Sequence, residues 1–169
     1  VKTVAFLQDI WDRDPDKVRR MLACDRTGKL REKLVKYALF AGCLTGRRLR
    51  AAFRSLCDEV VWEDAGPAVC GSPDVYCPPD RAHILAVLDR HRPDVVLCFT
   101  RCGQDAVEAA CRAWGGPTPV FIAALHPAAR GADTVQGLLD AAARLRAVKE
   151  GFSSSSHPER EQKERGGSR

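Results

Sequence analysis

Three apolar runs in this chain each end in a side chain that can do chemistry. Val4-Ala5-Phe6-Leu7 gives way to Gln8-Asp9-Ile10-Trp11, Val60-Val61-Trp62 to Glu63-Asp64, and the run ending at Ala124 to Leu125-His126-Pro127-Ala128-Ala129-Arg130. A carboxylate can orient water and stabilise a developing positive charge, and an imidazole can donate a hydrogen bond to a leaving group that gathers negative charge. Delivered to one crevice, an Asp and a His would suit the hydrolysis of a bond that breaks through a cationic carbon centre. Each also has a plainer use, since Asp after a strand commonly caps a turn and a lone His there commonly holds a loop.

Bringing such groups together requires strands that end on one side of the molecule. The patterning predicts strands near Thr3–Leu7, Glu59–Trp62, Asp94–Phe99 and Pro119–Ala124. Between them lie helical stretches: one starting near Pro15, then Arg31–Leu39, Arg47–Leu56, Asp80–His91, Gln104–Trp114 and Asp133–Val148. Asp14 before Pro15, and Asp80, are the expected N-caps. Strand and helix alternate, which predicts an α/β fold of three α/β/α layers around a central, mainly parallel four-stranded sheet. The continuous Val95-Val96-Leu97-Cys98-Phe99 run suits a strand buried on both faces. Open sheets of this kind bind ligands at the carboxyl ends of their strands. Residues 65–79, rich in Gly, Pro and Cys, are expected to be irregular. Residues 1–150 form one domain in this scheme, and 151–169, Ser-rich and then charged, form a tail with too little to bury, expected to be disordered.

Composition narrows the class. At 169 residues and 45% hydrophobic, the chain can build one domain with a real core. No stretch approaches the roughly 18 apolar residues of a membrane span, and no apolar leader follows a basic start, so a cytoplasmic protein off the membrane is expected. The eight cysteines include no C-x2-C pair. No metal and no cofactor are therefore expected, and the cysteines are expected as free thiols. A net charge of +5, with Arg47, Arg48, Arg50 and Arg54 clustered, suits a polyanionic partner. Neither G-x-G-x-x-G nor G-x-x-x-x-G-K-[ST] occurs, which sets aside the common phosphate-loop proteins. No obligate protein partner is evident, and a monomer is expected.

The two outer motifs resemble the signatures of the uracil-DNA glycosylase superfamily, and the resemblance extends over residues 3–148. Leu7-Gln8-Asp9-Ile10-Trp11 is similar to the family's Gly-Gln-Asp-Pro-Tyr, with Leu and Ile in place of its Gly and Pro. His126-Pro127-Ala128-Ala129 is similar to its His-Pro-Ser or His-Pro-Ala-Ala. The resemblance implies that Asp9 handles the hydrolytic water or the cationic sugar, with Asp12 and Asp14 as neighbouring substitutes, and that His126 hydrogen-bonds the base. Gln8 and Trp11 would line the base pocket. Phe40-Ala41-Gly42, with Gly46 and Leu49, looks like a family segment whose Phe stacks on the extruded base, which implies that role for Phe40. Gly42 would approach a phosphate through its backbone. Arg47, Arg48 and Arg101 would contact DNA, and Arg130 stands where the family carries a wedge that enters the stack.

Asp64, or failing it Glu63, falls where the family reads the base with an Asn. An amide both donates and accepts, as uracil requires, whereas an ionised carboxylate only accepts and matches the amino group of cytosine. The resemblance with this substitution implies a DNA glycosylase that flips and excises a modified cytosine, such as hydroxymethylcytosine or its glucosylated form, in antiviral defence. Uracil excision in base-excision repair is the alternative, and a non-catalytic DNA-binding member of the same fold is another.

Overall fold

The computed structural model describes residues 1–8, 10–11, 14–70, 77–100 and 103–155, with the side chains of 10, 11, 132 and 155 outside that description. Four strands form the central sheet: β1 (Thr3–Leu7), β3 (Val60–Asp64), β5 (Val95–Cys98) and β6 (Val120–Ala123). Their order is β3-β1-β5-β6, and every pairing is parallel. Two short strands, β2 (Ile10–Trp11) and β4 (Val69–Cys70), pair with each other in parallel beyond the ends of β1 and β3. The helices are α1 (Pro15–Ala23), α2 (Lys29–Phe40), α3 (Leu44–Phe53), α4 (Leu56–Glu59), α5 (Arg81–His91), α6 (Gln104–Ala113) and α7 (Ala132–Ser155).

Alternation along the strands divides the core into two layers. Ala5 and Leu7 of β1, Val60 and Trp62 of β3, and Val95 and Leu97 of β5 share one cluster with residues of α2, α3 and α7. Val4, Phe6, Val96 and Cys98 face the other way, into a cluster with α5 and α6. The central strands therefore bury both faces, as parallel strands between helical layers must. Deep burial fits: Phe6, Trp62, Phe53 and Phe99 are fully inaccessible. Phe53 meets Phe99 edge-on, and Trp62 stacks on Phe99.

Local signals explain most boundaries. Asp14 and Asp80 accept hydrogen bonds from the amides of Lys17 and His83, capping α1 and α5 as their positions predict. The α3 helix starts three residues earlier than the basic run suggests, because Cys43 caps it: its Sγ accepts from the Gly46 amide and donates to the Leu39 carbonyl. The expected Arg47–Leu56 helix breaks at Arg54, whose φ is 52°, and the chain restarts as α4. The second expected strand, Glu59–Trp62, shifts as well, with Glu59 ending α4 and the strand running Val60–Asp64.

Two expectations are corrected. The tail boundary at 150 falls inside α7, which carries Gly151–Ser155 as helix: the turn continues from the preceding helix, and the Ser153 and Ser154 hydroxyls find acceptors in the carbonyls of Lys149 and Glu150. Residues 156–169 of the tail lie outside the described residues. Cys70 and Cys77 are joined in a disulfide instead of being free thiols, because β4 and the chain returning to α5 bring them side by side. Cys24, Cys43, Cys57, Cys98 and Cys111 are free. Among the described residues no helix is long and apolar enough to cross a membrane.

Candidate functional site

The strand order places one crevice at the sheet's carboxyl edge. From β1 the chain crosses to β3 on one side, and from β3 it crosses over to β5 on the other side of β1. Connections leaving in opposite directions open a gap above β1 and β5, which is where doubly wound sheets bind their ligands. Backbone hydrogen bonds extend the ladders past the strands: Ala65 donates to Leu7, Phe99 to Phe6, and Ala124 to Cys98. Gln8, Asp64, Thr100 and His126 therefore all lie at one edge of the sheet, Asp64 one residue before the level of Gln8 and Thr100, and His126 one residue after it. Three strand spacings of about 4.8 Å separate β3 from β6, roughly 14 Å.

A cavity of about 410 Å³ opens at this edge, lined among others by Thr100, Gly103, Gln104, Asp105 and His126. The N-terminus of α6 faces it, so amide N–H groups and the positive end of the helix contribute to its field. Gly103 adopts φ 129° there, and a Cβ would come within 2.3 Å of the Pro79 ring. The Gln104 amide donates to the Ala124 carbonyl at 2.9 Å, tying α6 to the segment before His126.

His126 sits half-buried in a tight turn, with the Ala129 amide on its carbonyl at 2.8 Å. The Ala128 amide donates to His126 Nδ1 at 3.2 Å. Nδ1 is thus an acceptor, and a neutral ring carries its proton on Nε2. The turn is held from two helices. Arg48 of α3 donates to the carbonyls of Pro127 and Ala129 at 2.7 and 2.8 Å, and Thr134 of α7 donates to Ala129 at 3.3 Å.

Asp64 closes β3 with its side chain buried, 2% exposed. Arg31 of α2 reaches it at 3.3 Å and also donates to the carbonyls of Gly66, Pro67 and Ala68. Alternation turns Glu63 to the opposite face, where it is fully buried against Arg90 at 3.4 Å and His91 at 3.3 Å of α5. Glu63 and Asp64 are therefore not interchangeable: only Asp64 shares a face with the helices that hold the His126 turn.

The remaining candidates separate. Gln8 is half-buried directly after β1. Asp9, Asp12 and Arg101 lie outside the described residues, as does the side chain of Trp11, whose backbone pairs with Cys70. Phe40 packs edge-on against Trp62 at 5.5 Å, and Arg50 lies over its ring at 4.6 Å, so that ring face is not open to a base. Gly42 is exposed at φ 116° with open space around it, whereas Gly46 is buried, where a Cβ would sit 1.8 Å from the Leu39 carbonyl oxygen. Gly46 thus serves close packing of α2 on α3. Arg47 and Arg130 are exposed. Arg48 is committed to the His126 turn.

Arg31, Thr100, Gln104 and Asp105 were not singled out by the sequence. A signal existed for Gln104 and Asp105, which open a helix after a buried strand, but none marked Arg31, an ordinary arginine on a helix 33 positions before Asp64. Among the described residues no group of His, Cys, Asp and Glu is arranged to hold a metal. No protein-family model matches the chain, and no curated protein matches it.

Proposed function

We propose that this chain is a monofunctional DNA glycosylase of the uracil-DNA glycosylase type, excising a modified cytosine such as hydroxymethylcytosine or its glucosylated form in the cytoplasm as part of antiviral defence. The observation that supports it most is that Asp64, closing β3, and the His126 turn, after β6, stand at the same carboxyl edge of the sheet, each held by an arginine from the same helical layer. A base flipped from DNA would lie between them, its amino group toward Asp64 and its O2 toward His126 Nε2. The bond between N1 and the sugar C1′ then breaks, its electron pair passing to the base, where the hydrogen bond from Nε2 stabilises the negative charge. The sugar cation is stabilised by Asp9, water adds at C1′, and the water's proton is released through Asp9 to solvent. Free base and an abasic site are the products. Exposed Arg47 and Arg130 supply phosphate contacts or fill the vacated stack.

The test uses DNA containing hydroxymethylcytosine. His126→Ala and Asp9→Asn are each expected to depress abasic-site formation about 100-fold or more, with DNA affinity retained. Wild-type turnover in both variants would remove this mechanism. DNA affinity with a steep salt dependence and no abasic product in the wild type would instead identify a binding protein.

A further inference from the structure

Asp64 can select a base only in the charge state that its surroundings impose. A charged carboxylate accepts hydrogen bonds and matches a 4-amino pyrimidine, whereas its protonated form can also donate and would tolerate a 4-oxo base such as uracil. The side chain is 2% exposed, and burial alone favours the neutral form. Against it stands Arg31, 12% exposed, with Nη2 at 3.3 Å from Oδ2. The same guanidinium is held by the carbonyls of Gly66, Pro67 and Ala68 at 2.9 to 3.4 Å, so it cannot swing away from the carboxylate without breaking the loop that follows β3. Glu63 points to the opposite face, toward Arg90 and His91, and burial and then the charge of Arg31 lower the pKa of His83 of α5.

We infer that Arg31 is the positioning residue that sets base specificity: it keeps Asp64 in the charged, acceptor-only form and thereby selects 4-amino over 4-oxo pyrimidines. This rests on the glycosylase proposal for the identity of the ligand, but the link between Arg31 and the charge on Asp64 stands on geometry alone. Arg31 does not touch the base. Its clamp on 66–68 also fixes where Asp64 points, and Lys, which lacks the planar fork, would retain the charge without the full clamp.

The test pairs an activity readout with one that needs no activity. Wild type, Arg31→Gln and Arg31→Lys are assayed across pH on DNAs carrying hydroxymethylcytosine or hydroxymethyluracil, and the Asp64 carboxyl carbon is titrated by NMR in the same proteins. Arg31→Gln is expected to lose its preference for the amino base, and to protonate Asp64, at a pH higher by about one unit or more. Arg31→Lys should stay near the wild type in both, which separates the charge effect from a general loss of structure. An Asp64 titration unmoved by Arg31→Gln would overturn the inference. A shifted titration with neither base released by the wild type would leave Arg31's control of charge intact and overturn the glycosylase proposal instead.

Discussion

Arg48 offers the sharpest separation between a DNA contact and a structural strut. As an arginine in a basic cluster it reads as a phosphate ligand, yet its guanidinium donates to Pro127 O at 2.7 Å and Ala129 O at 2.8 Å. Hydrogen bonds from a charged donor contribute about 1.5–3 kcal/mol each when well formed, and these two share one nitrogen on a half-buried side chain. Water will replace part of what Arg48→Ala removes, so a loss of about 2 kcal/mol is expected. For a domain of this size each kcal/mol lowers Tm by about 2–4 °C, which gives a drop of about 4–8 °C. The assay is thermal unfolding of Arg48→Ala beside Arg47→Ala, whose exposed side chain makes no hydrogen bond among the described residues. Arg47→Ala should leave Tm within a degree or so, as exposed surface changes usually do. DNA binding is then measured across salt concentrations. A phosphate contact is worth about one unit in the slope of log K against log salt, and Arg47→Ala is expected to show that change while Arg48→Ala is not. An unshifted Tm for Arg48→Ala with a shallower salt slope would refute the strut and restore Arg48 as a phosphate ligand.

Three further outcomes follow from packing and burial. Gly46→Ala places a Cβ 1.8 Å from the Leu39 carbonyl oxygen, so α2 and α3 must separate, at a cost of about 1–3 kcal/mol measurable by urea unfolding; a neutral substitution would show that the helices do not meet as closely as described. Burial, then the charge of Arg31, hold the His83 imidazolium below its ordinary 6.5. The unfolded chain binds that proton first, so stability is lost as the pH falls through 6.5 toward the lower folded value, and His83→Leu should flatten the fall in Tm over that window; an unchanged pH dependence would contradict it. Burial pushes the Cys57 and Cys111 thiols up to about 11, while Cys24 and Cys43 are exposed. Alkylation near pH 8, resolved by peptide, should modify Cys24 and Cys43 well before the buried pair, and early labelling of Cys57 would refute that burial.

The sheet was legible because its strands carry periodic and compositional signals strong enough to stand alone. Val95–Cys98 is apolar throughout, since both of its faces are covered, and Asp14 and Asp80 mark helix starts through hydrogen bonds that span only three residues. Gln8, Asp64 and His126 could be anticipated at the carboxyl edge because strand ends fix where such residues emerge. Long-range partners left no comparable trace. Arg31 meets Asp64 across 33 positions, and Arg48 meets the His126 turn across about 80. An arginine that clamps carbonyls looks, in sequence, the same as one that faces a phosphate. Phe40 was similarly ambiguous, as only the fold reveals Trp62 at its edge and Arg50 on its face. Cys70 and Cys77 gave no warning because two cysteines in an irregular segment imply no pairing until the chain is folded.

The claim that this crevice cleaves a glycosidic bond is tested most directly by incubating the protein with DNAs carrying uracil, cytosine, hydroxymethylcytosine or glucosylated hydroxymethylcytosine and quantifying abasic sites. Abasic sites are expected in DNA carrying a modified cytosine, with uracil and unmodified cytosine spared. Release of uracil alone would contradict the role assigned to Asp64, and no abasic product from any of the four would contradict the glycosylase itself.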